Sequence, residues 1–182
     1  MKKDGSSAIG YVLLFSVLMI LSIMTLYMLQ KAKLMTMQRD VDDALSDALL
    51  ASLVADDVYY FETYEETGRA VIRFKNVDES YSNFKDIMNA TMSNSGDFYQ
   101  NVAFDELILY EVDEDYVTVT SFIGNEGLKY TGTYLIDLIE TPEGDSVTKT
   151  SAYAKVSFDI KSMIDGSLVR KSRDLYCTFE FN

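Results

Sequence analysis

The sequence has no histidine, a single cysteine (Cys177) and a single proline (Pro142). Without histidine the chain lacks the commonest general base and the commonest metal ligand, and no Ser-His or Cys-His pair can form. One cysteine excludes an intramolecular disulfide and leaves a zinc site short of ligands. Glycine and proline are both missing between Gly10 and Gly68, so that stretch contains no strong helix breaker. Positive charge is scarce as well, with 16 basic residues against 29 acidic ones and a net charge of −13. Before Lys31 only Lys2, Lys3 and Asp4 are charged, so nearly all of the acidity lies beyond that point. Such a surface repels phosphate backbones and anionic headgroups, and nucleic acid is not expected as a partner.

What is present begins at residues 8–30, AIGYVLLFSVLMILSIMTLYMLQ, a run without a charged side chain. About 20 apolar residues at ~1.5 Å each match the ~30 Å hydrocarbon core of a bilayer, so the run predicts a membrane-spanning helix in contact with lipid. The helical pattern then continues to about Asp57, giving roughly 50 residues and about 75 Å, more than an anchor needs. A cleaved secretory signal has an apolar core of about 7–15 residues and a small-residue cut site. This run is longer and ends in Tyr27-Met28-Leu29-Gln30-Lys31-Ala32-Lys33, so removal of the whole span is not expected. Basic residues on both sides, Lys2 and Lys3 against Lys31, Lys33 and Arg39, barely orient it. The acidic, strand-rich bulk favours a C-terminus outside the cytoplasm. Within the span, Ser16, Ser22 and Thr25 suit hydroxyl bonds to the preceding turn. Tyr27 suits the headgroup layer, and Met19, Met24 and Met28 form an adaptable stripe.

From residue 34 to 57, Leu34, Val41, Leu45, Ala48, Leu49 and Ser52 share one helical face, with Arg39, Asp40, Asp43, Asp47 and Asp57 around the rest. That apolar face is expected under a sheet. Residues 58–64 and 69–75 read as a hairpin about Glu65-Glu66-Thr67-Gly68. Residues 78–92 read as a helix capped by Asp78, with Tyr81, Phe84, Ile87, Met88 and Met92 on its face. A second hairpin joins 107–112 to 116–123, and a longer strand, 128–140, turns at Thr141-Pro142-Glu143-Gly144. The clearest strand is 152–160, where Ala152, Ala154, Val156, Phe158 and Ile160 alternate with polar residues or tyrosine. A turn at Asp165-Gly166 would set Val156 opposite Leu175, Ala154 opposite Cys177 and Ala152 opposite Phe179. Lys161 would then face Arg170, a like-charge pair that splays the loop end.

No constellation carries catalytic chemistry. Gly124-Asn125-Glu126-Gly127-Leu128-Lys129 lacks phosphate-loop spacing and reads as a turn. Glu111 with Asp113 could imitate a glycosidase pair, but so acidic a chain offers many such pairs, and strand alternation makes these solvated. The aspartates at 40, 42 and 43 lack the glycine and closing glutamate of a calcium loop, and Asp113-Glu114-Asp115 reads as a charged turn before it reads as a cation site. Asn89-Ala90-Thr91 is a glycosylation sequon on a helix. No enzyme activity, cofactor or metal is expected.

The N-terminus carries a resemblance. A short basic leader ending at Gly5, then Ser6-Ser7-Ala8-Ile9-Gly10-Tyr11 and an unbroken apolar helix, resembles the class III signal of type IV pilin-like proteins. It is closest to the archaeal variety and similar to the pseudopilins of tight-adherence pili, where a Tyr or Phe lies six residues past the glycine, as Tyr11 lies past Gly5. The resemblance covers about the first 50 residues. It implies an α+β fold, a long transmembrane-plus-amphipathic helix packed against an antiparallel β-sheet head. Its parts would be a leader (1–5), a transmembrane helix (6–30), a helical spine (31–57) and an extracytoplasmic head (58–182). It implies a prepilin peptidase acting at Gly5 and Ser6, and a filament core built from Ile9, Gly10, Tyr11, Leu14, Phe15, Leu18, Leu21 and Tyr27. The implied partners are membrane lipid, the peptidase, other pilin-like subunits and an assembly platform. A cut after Gly5 fits the bacterial pattern and one just before Gly5 the archaeal. Cut after Gly5, the chain would carry Gly10 at the fifth mature position, where bacterial pilins typically carry Glu. Either the archaeal pattern applies, which generally lacks that Glu, or this is a minor or tip subunit. The alternative is a single-pass anchored extracytoplasmic binding domain that does not polymerise.

Overall fold

The computed structural model describes residues 4–69, 71–94, 99–142, 144–162 and 166–179; the side chains of residues 4–7 and 94 fall outside that description. The chain divides into two compact units, Met1–Asp40 and Val41–Asn182. Helix α1, Asp4–Ser52, contributes to both.

In the first unit α1 is the sole described element, helical because no breaker interrupts it after Gly10. Three hydroxyls in its apolar run bond within the helix. The hydroxyls of Ser16, Ser22 and Thr25 donate to the carbonyls of Val12, Leu18 and Leu21 at 2.9, 2.9 and 2.7 Å, as the sequence suggested. Backbone bonds within the helix and these hydroxyl bonds leave little polarity to solvate.

The second unit opens with the end of α1, where Val41, Ala44, Leu45, Ala48, Leu49 and Ser52 are all buried. This is the predicted face, apart from Leu34, which is exposed. The helix stops at Ser52, short of the expected Asp57. Asp56 proves to be a start signal, since its carboxylate accepts the Tyr59 N–H at 3.1 Å and caps α2, Asp57–Thr67. At the far end Gly68 is left-handed (φ +71°), and its N–H donates to the Tyr64 carbonyl at 2.9 Å. The expected hairpin over 58–64 and 69–75 is therefore wrong in its first arm. Two caps around Val58-Tyr59-Tyr60-Phe61 outweigh the β preference of those residues. The second arm is irregular chain, its β pairing limited among the described residues to a bridge between Ala55 and Phe74. Helix α3, Val77–Asn94, starts one residue early because Asn76, not Asp78, is the cap: its side-chain oxygen accepts the N–H groups of Asp78 (3.0 Å) and Glu79 (3.3 Å). Phe84, Met88 and Met92 are buried, and Tyr81 stacks on Phe122 with ring centres 4.5 Å apart.

Among the described residues five antiparallel strands follow, in the order β3-β2-β1-β4-β5. They are β1, Tyr99–Asp113; β2, Tyr116–Ile123; β3, Leu128–Leu135; β4, Ser151–Lys161; and β5, Leu168–Thr178. The Glu114-Asp115 turn joins β1 to β2 as expected, although β1 begins well before residue 107. One sheet face carries Leu107, Leu109, Ala152, Ala154, Val156 and Phe158, all buried like the apolar faces of 41–52 and α3. The predicted strand 128–140 ends at Leu135, because Ile136–Leu138 forms a 3-10 turn. Beyond it the chain crosses the opposite sheet face, where Ile136, Ile139 and Val147 pack on Ile108, Tyr110 and Tyr153. Burial there pushes the Tyr110 hydroxyl up to about 12, with Glu106, Tyr176 and Tyr153 adding to the shift. Both faces of the sheet's centre are thus apolar and covered.

The β4–β5 hairpin forms in a register two residues from the expected one, with Ala154 opposite Leu175 and Ala152 opposite Cys177. An even shift leaves every side chain on its predicted face. Charge explains the choice: Arg170 now faces Asp159, with which it forms an ion pair at 3.3 Å, and Lys161 faces Leu168. The loop widens accordingly, closed by bonds from Gly166 N to the Ser162 carbonyl (3.0 Å) and from Ser162 N to the Ser167 carbonyl (2.8 Å). Asp165 lies outside the described residues.

Candidate functional site

The chain's most conspicuous surface is the first part of α1. Ile9, Tyr11, Leu14, Phe15, Leu18, Leu21 and Tyr27 are between 53% and 72% exposed, and a side-chain carbon added at Gly10 would meet nothing within 4 Å. Over Ala8–Ser52 the helix is long and apolar enough to cross a membrane. Unlike a core helix, its most apolar window is not buried within the chain. At about 25 cal/mol per Å², so much apolar area in water is strongly unfavourable. The segment's physical requirement is an apolar environment supplied from outside the chain, by lipid or by other helices. The sequence-predicted residues stand together on this one element. Gly5 and Ser6 lie in the backbone of the first turns of α1; the Ser6 side chain, like residues 1–3, falls outside the described residues.

A second candidate lies at the β1–β2 turn, a cleft of about 410 Å³ lined by Arg73, Glu111, Asp113, Glu114, Asp115 and Tyr116, among others. The segment after α2 delivers two arginines here: Arg69 pairs with Glu114 at 3.1 Å, and Arg73 with Asp113 at 2.5 Å. The Arg73 guanidinium also covers the Tyr59 ring, 4.3 Å from its centre. Glu111 accepts the Phe74 N–H at 2.9 Å. Burial holds its carboxyl above the usual range, a shift that the Phe74 N–H and Arg73 partly offset. Thr150 completes the tie, its hydroxyl donating to the Ile72 carbonyl (2.8 Å) and accepting from Val112 N (3.1 Å). Of the carboxylates considered for calcium or glycosidase chemistry, Glu111, Asp113 and Glu114 are thus committed to guanidinium and amide partners. They fasten 69–74 to the sheet. Among the described residues no three His, Cys, Asp or Glu side chains are grouped to hold a metal ion.

The remaining sequence candidates are dispersed. Cys177 is half-buried on β5, and burial pushes its thiol up, which lowers its reactivity. Asn89 is exposed on α3, while the Thr91 hydroxyl is turned to the Ile87 carbonyl at 3.0 Å. The 124–129 turn is structural: Asn125 accepts the Phe104 N–H at 2.7 Å, and its carbonyl accepts from Lys85 at 2.9 Å. Sequence reasoning missed the arginine-carboxylate tie, which depends on α2 turning the chain. The signal available for it was Asp56 and Gly68 at cap spacing. No protein-family model, curated protein or solved structure matches this chain.

Proposed function

We propose that the protein is a pilin-like structural subunit, a minor pilin or pseudopilin of a type IV filament-like cell-surface assembly. The observation that carries this reading is the uncovered apolar helix, which follows within a few residues of Lys2-Lys3-Asp4-Gly5-Ser6. Such a helix sits stably in a bilayer and equally stably among sister helices, so a subunit can pass from one to the other. A prepilin peptidase would cut next to Gly5, leaving Ile9, Gly10, Tyr11, Leu14, Phe15, Leu18, Leu21 and Tyr27 to form the filament core. An assembly platform would extract the subunit, and the α+β head would lie outside the cytoplasm. Function then comes from assembly and not from turnover, without cofactor, metal or nucleic acid.

The second reading, an anchored binding domain that never polymerises, is favoured by Gly10. After cleavage at Gly5 a new α-ammonium would enter an apolar core with no carboxylate at the fifth position to neutralise it. An unpaired buried charge is unfavourable by several kcal/mol. N-terminal sequencing of the protein from its native membrane separates the two. A mature start beside Gly5, abolished when the peptidase is deleted, supports the filament subunit. An intact Met1 on a monomer resident in the bilayer refutes it.

A further inference from the structure

Among the described residues strand β3 is an open edge of the sheet, hydrogen-bonded to β2 on one side only. Long exposed edges are pairing templates, and proteins usually blunt them with charge, proline or bulges. This edge has no proline or bulge, and its one charged side chain is paired within the chain. β3 pairs with β2 without a register break, β2 has no charged residue, and β3 has only Lys129, which is neutralised by Asp78 at 2.7 Å. On a chain of net charge −13, the two strands of this hairpin carry no carboxylate. The opposite edge differs, since β5 carries Arg170, Lys171 and Arg173.

The sequence of the edge matches itself in reverse. Tyr130-Thr131-Gly132-Thr133-Tyr134 reads identically in both directions about Gly132, so an antiparallel neighbour of the same sequence meets like with like. Its backbone is in phase for this. Ile136 N donates to the Asp115 carbonyl at 2.9 Å, and Gly124 N to the Asp105 carbonyl at 3.0 Å. By strand alternation, the even residues of β3 then turn their N–H and C=O toward β2. Those of Lys129, Thr131, Thr133 and Leu135 point outward.

We propose that β3 is a homotypic docking edge that pairs antiparallel with β3 of a second copy about Gly132. Thr131 then faces Thr133 of the second copy as a hydrogen-bonded pair, which extends the Thr118–Thr133 and Thr120–Thr131 hydroxyl contacts (3.3 and 3.4 Å) across the junction. On the other face Tyr130 opposes Tyr134; the two are 58% and 48% exposed in one copy, surface that pairing covers. Gly132 faces Gly132 as the non-hydrogen-bonded pair, where the backbones come closest, at about 4.5 Å between Cα atoms. The contact is two-fold and closes on itself. It does not depend on whether the leader is cut.

The test uses the full chain in membranes, with Cys177→Ser as background so that an introduced thiol is the only one. A carbon added at Gly132 would lie 2.7–2.9 Å from the Tyr134 ring, so Tyr134→Ser is included to clear it. Under mild oxidation Gly132→Cys should then cross-link to a dimer, since paired Cα atoms at this spacing suit a disulfide. Thr131→Cys and Thr133→Cys alone should cross-link about tenfold less, yet cross-link to each other when the two variants are co-expressed. Adding Thr133→Pro to Gly132→Cys should abolish the dimer, because this N–H faces outward and is unused within the sheet. If the proline variant fails to fold, Thr131→Lys with Thr133→Lys replaces it, placing like charges opposite each other. Absence of a Gly132→Cys dimer, equal yields at all three positions, or a dimer that survives the blocking variants would each overturn the proposal.

Discussion

Leu45 and Leu50 stand on opposite faces of the same stretch of α1, and they make a sharp test of how the helix closes the sheet. Leu45 is 1% exposed and lies among Val41, Ala48 and Leu49, all at 0%, whereas Leu50 is 55% exposed. Burying a leucine is worth about 1.5–3 kcal/mol in transfer alone. Truncation to alanine adds a cavity term where neighbours cannot collapse, for a total of about 2–5 kcal/mol. With fully buried residues on both sides, Leu45→Ala should fall near the middle of that range, about 3–4 kcal/mol. Leu50→Ala should cost about 0.5 kcal/mol or less, as for an ordinary surface change. At about 2–4 °C per kcal/mol for a domain of this size, the melting temperature should drop by about 10 °C in the first case and hardly at all in the second. The 13 tyrosines give a near-ultraviolet dichroism signal that follows packing, and in detergent the apolar part of α1 contributes only a flat baseline. Equal shifts for the two variants, or a larger one for Leu50→Ala, would refute the assignment of the 41–52 face to the core.

Three further outcomes follow from particular contacts. Asp56→Ala removes the α2 cap; α2 buries no residue, so about 1 kcal/mol of local stability should be lost. Amide exchange over 57–67 should accelerate severalfold while the global melt is unchanged. Gly127→Ala, at φ +66° with the new carbon 2.5 Å from the Tyr81 ring, should cost more than Gly124→Ala, which meets open space at φ +70°. About 1–2 kcal/mol of backbone strain is common to both, so denaturant midpoints isolate the ring contact. Glu111 has a raised carboxyl, so its folded form binds the proton more tightly than its unfolded form. That contribution is present below about pH 4.5 and is lost as pH climbs through the raised value. Glu111→Gln keeps an oxygen for the Phe74 N–H, so its melting temperature relative to wild type should rise from about pH 4 to about pH 7; a flat difference would contradict the burial argument.

Much of this was legible in the sequence because period and burial coincide. Alternation from Ala152 to Ile160, the spacing of Val41, Leu45 and Leu49, and Phe84 with Met88 on α3 each declared a face that the structure buries. Where local preference competed with capping, the reading failed. Val58-Tyr59-Tyr60-Phe61 has the composition of a strand, yet Asp56 and Gly68 close a helix around it. The β4–β5 register shows another limit, since the alternating pattern fixes the face but not the step along it. The Asp159–Arg170 pair selects between registers that bury the same residues. The exposed apolar helix was plain from composition alone. The arginine-carboxylate tie at the β1–β2 turn was not, because it joins residues some 40 positions apart.

The central place of β1 has a consequence for synthesis. Strands β1, β2 and β3 form a meander of neighbours in sequence, and β4 with β5 form a hairpin; among the described strands β1–β4 is the seam that joins them. A ribosome-bound chain that has emerged only as far as Leu135 therefore holds a three-stranded ribbon whose inner border, from Tyr99 to Tyr110, has no neighbour. That border is richly apolar at Leu107, Ile108, Leu109 and Tyr110, and such unpaired edges invite misassembly until the complement arrives. Whatever escorts this nascent chain must hold off self-association through the interval in which β4 is being translated.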